Sequence, residues 1–155
     1  MKRFLFALVA CFFVAFPCFS QVQKSPSTGL SFVIPAGWTV SNQDMIISAI
    51  PPDFQAALSY GMLAAYDFGM AVDAAYQTLG ASLSGQNFSK PKDISINGIK
   101  ASCFGGSADY SGMKVDVEVW VLKGTMPAML WIYYMPGGKK YKKIVEGIIK
   151  SLKLL

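Results

Sequence analysis

The chain has 155 residues, 14 lysines and arginines against 9 aspartates and glutamates, and no histidine. Without imidazole, Ser-His-Asp and Cys-His catalysis and any zinc site with a histidine ligand are excluded. The length fits one domain with its own core, and no nucleic-acid partner is expected.

Lys2 and Arg3 precede an apolar run from Phe4 to Phe16, followed by Cys18-Phe19-Ser20. This is the pattern of a secretion signal over residues 1–20, cleaved near Ser20, which directs the domain to the periplasm or out of the cell. Leu8-Val9-Ala10-Cys11 resembles a bacterial lipobox and offers the alternative of a lipid anchor at Cys11. The apolar residues Phe12 to Phe16 make a poor tether for such an anchor, which favours ordinary cleavage. The leader removes Lys2 and Arg3, the sole arginine, so the remainder is less basic than the whole. It also holds Cys11 and Cys18, leaving Cys103 with no internal disulfide partner. The small apolar neighbours of Cys103 predict a buried structural thiol. Beyond the leader no apolar run reaches the roughly 20 residues that cross a bilayer, so the domain is expected to be soluble.

Gln21 to Gly29 is polar and reads as a short tether to a domain over 30–155. Leu30 to Ile34 alternates and stops at Pro35, a first strand; Trp38 to Val40 reads as a second and Met45 to Ile50 as a third. Ala57 to Tyr66 carries mixed signals and is assigned as strand. From Phe68 to Leu83 the spacing becomes helical, with Val72, Ala75, Tyr76, Leu79 and Leu83 on one face, Asp67 as N-cap and Gly85 as terminator.

After a polar stretch, Asn97-Gly98 marks a turn into a strand from Ile99 to Tyr110, with a bulge expected at Gly105-Gly106. Met113 to Leu122 puts Val115, Val117, Val119 and Val121 on one face and Lys114, Asp116, Glu118 and Trp120 on the other. Pro127 to Met135 is apolar on both faces, as a central strand is. A final amphipathic helix spans Lys139 to Leu152. The order predicts an α+β fold, a mostly antiparallel sheet flanked by helices.

Thr28-Gly29-Leu30-Ser31-Phe32-Val33-Ile34-Pro35-Ala36-Gly37-Trp38, the early helix, Ile96-Asn97-Gly98-Ile99-Lys100-Ala101, and the closing helix with Lys150-Ser151-Leu152 together resemble the PsbP-like family. The resemblance covers nearly all of the chain after the leader, through structural motifs. It implies an α-β-α sandwich with a binding or accessory role. It carries no active-site motif onto these residues, and a fold by analogy does not assign a function.

Four groups of residues could carry chemistry. Gly138, Lys139, Lys140, Lys142 and Lys143 crowd cations at a helix start, against the helix dipole, and are a candidate site for a phosphate, an anionic headgroup, a membrane surface or an acidic partner. The alternative is a solvated lysine face. Asp116 and Glu118 share one strand face, with Asp109 brought opposite Lys114 by a Ser111-Gly112 hairpin; this is a weak carboxylate cluster or an ordinary exposed face. Trp120, Trp131 and Tyr133 are a candidate aromatic ligand face, with core packing as the alternative. Met126, Met129 and Met135 read as gap fillers rather than metal ligands.

No metal or cofactor is indicated. The resulting expectation is a non-catalytic secreted or periplasmic accessory or binding protein with a partner in the envelope or outside the cell. A membrane-associated factor acting through the lysine cluster and a small carboxylate-dependent hydrolase are the alternatives.

Overall fold

A computed structural model describes residues 20–155. The expected leader and the lipobox at Cys11 lie outside these residues. The architecture is α+β, as the sequence predicts. The larger sheet has eight strands, seven on a continuous antiparallel path and one off it, and a smaller sheet has three.

The smaller sheet joins β1 (Gln21–Ser25), β2 (Leu30–Ile34) and β11 (Lys153–Leu154), with β2 in the middle. β1 corrects the tether expected over 21–29. It turns Gln21, Gln23 and Ser25 towards the protein and leaves Val22 61% exposed, so its polarity runs opposite to an ordinary strand. Backbone pairing in the register Gln21↔Ile34 to Ser25↔Leu30 holds it, together with a Gln21 side-chain amide that donates to the Trp38 carbonyl at 3.1 Å.

The larger sheet runs β3 (Thr39–Gln43), β4 (Ile46–Ile50), β5 (Ala56–Met62), β10 (Pro127–Tyr134), β9 (Met113–Lys123), β8 (Ile99–Tyr110) and β6 (Ser84–Phe88), with β7 (Lys92–Ile96) also paired to β8. β10 is interior, as its two-sided apolar pattern predicts. Leu130, Ile132 and Tyr134 point to the face covered by β2 and α2 (Lys142–Lys150), and Met129 is buried on the face covered by α1 (Phe68–Gly80). Burial of each such side chain contributes about 1.5–3 kcal/mol.

The helix α1 starts where Asp67 caps it, its carboxylate accepting from the Met70 amide at 2.9 Å. It ends at Gly80, short of the expected Leu83, and buries Ala71, Ala75 and Leu79. The polar stretch after it forms β6 and β7, which sequence periodicity does not announce because nearly all their residues are exposed edge positions. No bulge interrupts β8 against β9, where the register is continuous from Ala101↔Leu122 to Tyr110↔Met113. The two glycines serve close approach instead. A Cβ on Gly105 would lie 2.5 Å from the Val117 carbonyl oxygen, and one on Gly106 would lie 2.0 Å from that of Asn87.

Ser111 and Gly112 both take positive φ in the hairpin that joins β8 to β9, as a two-residue turn of this twist requires. The final helix is shorter than expected, with a 3₁₀ turn over Gly138–Tyr141 ahead of α2. Among the described residues no helix is long and apolar enough to cross a membrane.

Candidate functional site

The lysine segment and the acidic strand face meet one another. β9 delivers Asp116 and Glu118 to the sheet face on which α2 packs, because even-numbered β9 residues point there while the valines point to α1. The turn after β10 carries the lysines back over the same face. Lys139 Nζ lies 2.8 Å from Asp116 Oδ2, and Lys142 Nζ lies 2.9 Å from Glu118 Oε1. Lys140 pairs with Asp53 in the β4–β5 turn at 2.6 Å, a partner that sequence reasoning missed because Asp53 stands alone beside Pro51-Pro52.

The free basic site expected at Gly138, Lys139, Lys140, Lys142 and Lys143 is therefore corrected: three of its four cations face carboxylates. Exposed Lys143 is in no ion pair among the described residues. Nor is there a free Gly138 amide, since it donates to the Met135 carbonyl at 2.8 Å. Gly138 is required for space: a Cβ there would lie 2.0 Å from the Gln55 carbonyl oxygen. The same pairs neutralise the carboxylate cluster. Asp109 does sit opposite Lys114 in register, as expected.

The aromatic face is corrected as well. Antiparallel pairing sets Trp120 beside Leu130 and Trp131 beside Val119, so the two indoles project from opposite faces of the sheet. Half-buried Trp131 and Tyr133 pack on the α1 side, where Tyr133 also stacks near Tyr110 at 5.4 Å. Trp120 stays on the α2 side. The methionines do not converge: Met129 is core, Met126 is 39% exposed and Met135 packs at the α1 side. Among the described residues no cluster of three or more Cys, Asp or Glu side chains could hold a metal ion.

Trp120 belongs instead to an open cleft of about 650 Å³ over β8 and β9. Its floor is Cys103, Gly105 and Ser107 from β8 with Trp120, Glu118 and Asp116 from β9; Lys139 and Lys142 stand on one rim, and Asn87, Ser89 and Lys92 on the other. Gly105 leaves the middle of the floor without a side chain. Cys103 is half-exposed here, which corrects the buried thiol expected from its neighbours: its strand mates are apolar, but its own face opens to the cleft. Lys92 is directly paired in register with Cys103, so it shares that face. It has no carboxylate within ion-pair distance among the described residues.

The groups whose titration the surroundings displace all move away from neutrality. The Lys140 ammonium beside Asp53 keeps that carboxyl below the usual range, and Asp53 in turn raises Lys140. The hydrogen bond to Glu118 raises Lys142. Burial, then the charge of Glu118, pushes Tyr134 far above the ordinary phenol; its hydroxyl donates to Glu118 Oε2 at 2.9 Å. Burial raises Tyr60 and Tyr141 too.

No family model matches the sequence, and no curated protein matches it. Among solved structures, the chain is similar to a protein of unknown function from Pseudomonas aeruginosa, with TM-score 0.59 and 14% identity over 88% of this chain and 97% of that one. It is similar to cyanobacterial PsbP from Synechocystis, with TM-score 0.57 and 13% identity over 96% of this chain and 99% of that one. A Bacteroides thetaiotaomicron protein shares TM-score 0.60 and 15% identity over 86% of this chain, which spans 48% of that protein. At such identities the likeness establishes the fold, an α+β sandwich of PsbP-like type, and leaves function to the residues.

Proposed function

We propose that the protein is a non-catalytic secreted or periplasmic accessory protein that holds a ligand in the cleft over β8 and β9. One observation carries this reading: both carboxylates of the cleft, Asp116 and Glu118, are paired with lysines, and every displaced pKa moves away from neutrality. General acid-base catalysis needs a group titrating near the working pH, so this arrangement suits recognition and not proton transfer. The leader pattern from Lys2 to Ser20 supports the location. Pairing of the lysines with carboxylates counts against a membrane-bound role for that segment.

Cys103 is a natural reporter of the cleft. In cell fractions the protein should appear in the envelope or the medium with a mass that begins near Gln21. Maleimide should label Cys103 more slowly in a fresh extract than after exhaustive dialysis, because a bound ligand covers the thiol. A cytoplasmic protein that keeps its leader, or equal labelling before and after dialysis, would overturn the proposal.

A further inference from the structure

The ligand class follows from the chemistry of the cleft, taking the cleft as the binding site on the reading above. We infer that it takes an acidic sugar: a hydroxylated ring bearing one carboxylate. Trp120 supplies a large aromatic side chain on the floor, half-buried, against which a ring can lie. The C–H face of a pyranose covers such a surface, and the other lining groups suit its hydroxyls. Asp116 and Glu118 accept hydrogen bonds, Asn87 both donates and accepts, and Ser89 and Ser107 do either.

The charges separate this class from its competitors. A purely apolar ligand would have to desolvate Asp116, Glu118, Lys92, Lys139 and Lys142 together, with no hydrogen bonds returned. A polyphosphate would meet two carboxylates already held by Lys139 and Lys142. A single carboxylate needs one cation with no competing partner, and Lys92 is placed for it on the rim opposite α2, on the face of Cys103 and Trp120. Cations on both rims and carboxylates on the floor thus favour one negative charge on a body rich in hydroxyls.

The test uses D-glucuronate as probe, with D-glucose as the neutral hydroxylated control and hexanoate as the anion without hydroxyls. The Trp120 indole N–H is followed by NMR, which separates it from Trp38 and Trp131. Glucuronate should shift that resonance saturably at millimolar concentration, about tenfold more tightly than glucose, and hexanoate should leave it in place. Lys92→Gln, at an exposed position, should reduce glucuronate to the affinity of glucose with an unchanged melting curve. Ser107→Trp, filling the cleft from its floor, should abolish both responses.

A saturable response to glucose or hexanoate equal to that for glucuronate would overturn the ligand class while the cleft remains a binding site. Failure of Trp120 to respond to any probe, or full glucuronate affinity in Lys92→Gln, would also overturn the class. The Cys103 labelling experiment decides the wider reading separately.

Discussion

Glu118 on β9 and Lys142 at the start of α2 are joined at 2.9 Å, while the other oxygen of that carboxylate accepts from the Tyr134 hydroxyl on β10 at 2.9 Å. One side chain therefore ties two neighbouring strands to the helix that covers them. Glu118→Gln should keep part of the Tyr134 contact and lose the ion pair, lowering stability by about 1 kcal/mol or less, since a half-exposed pair contributes little. The phenolate absorbance of Tyr134 should appear at lower pH in the variant than in the parent, though still above an ordinary tyrosine because burial is the larger cause. An unchanged alkaline absorbance curve would contradict this.

The ion pairs also set the response to pH. Asp53 is held below its ordinary range, so its contribution is present above about pH 4 and fades as the pH falls through its folded value. Lys140 and Lys142 are raised, so theirs is complete below about pH 10.4 and is lost as the pH rises through their folded values. Tyr134 acts in the same direction above about pH 10. Melting temperature should be flat through the neutral range and decline at both extremes. Molar salt should flatten the contribution of the exposed Asp53–Lys140 pair.

Core substitutions should divide by burial and not by size. Leu130→Ala removes a side chain that is 0% exposed and should cost about 2–5 kcal/mol. Trp131→Ala should cost less than a fully buried tryptophan would, since its indole is half-buried at the margin of the α1 side. Denaturant midpoints test the order, and a larger loss for Trp131 would reverse it.

Two glycines should respond with opposite sign. Gly106→Ala puts a methyl into the Asn87 carbonyl and should strip β6 from the sheet, seen as loss of amide-exchange protection over 84–88. Gly147 in α2 has nothing within 4 Å of its added Cβ, so Gly147→Ala should stabilise by about 0.5–1 kcal/mol through helix propensity. If Gly147→Ala destabilises, the open space beside α2 is wrong.

The elements that sequence reveals are those whose burial alternates. β9 and β10 announce themselves because their valines and their Leu130, Ile132 pair fall on buried faces. β1, β6 and β7 are silent because polar residues make their contacts through the backbone. At the site, the lysines and the acids were each legible, but their meeting depends on β10 returning antiparallel beside β9. The opposed indoles follow from the same register: pairing of Trp120 with Leu130 forces Trp131 to the other face, which no count along one strand reveals. The cleft is equally hidden, because its walls come from β6, β7, β8, β9 and the turn before α2, which only the folded sheet brings together.

The small sheet ties β2 to residues that come much later. Ser151 Oγ accepts from the Val33 amide at 2.8 Å across 118 positions, and β11 pairs with the same strand. Contacts so distant in sequence slow folding, because the loop must close before they form. The early strands must wait, unsealed, for the closing helix to be synthesised. A chain that cannot complete itself early stays threadable until its last residues are in place.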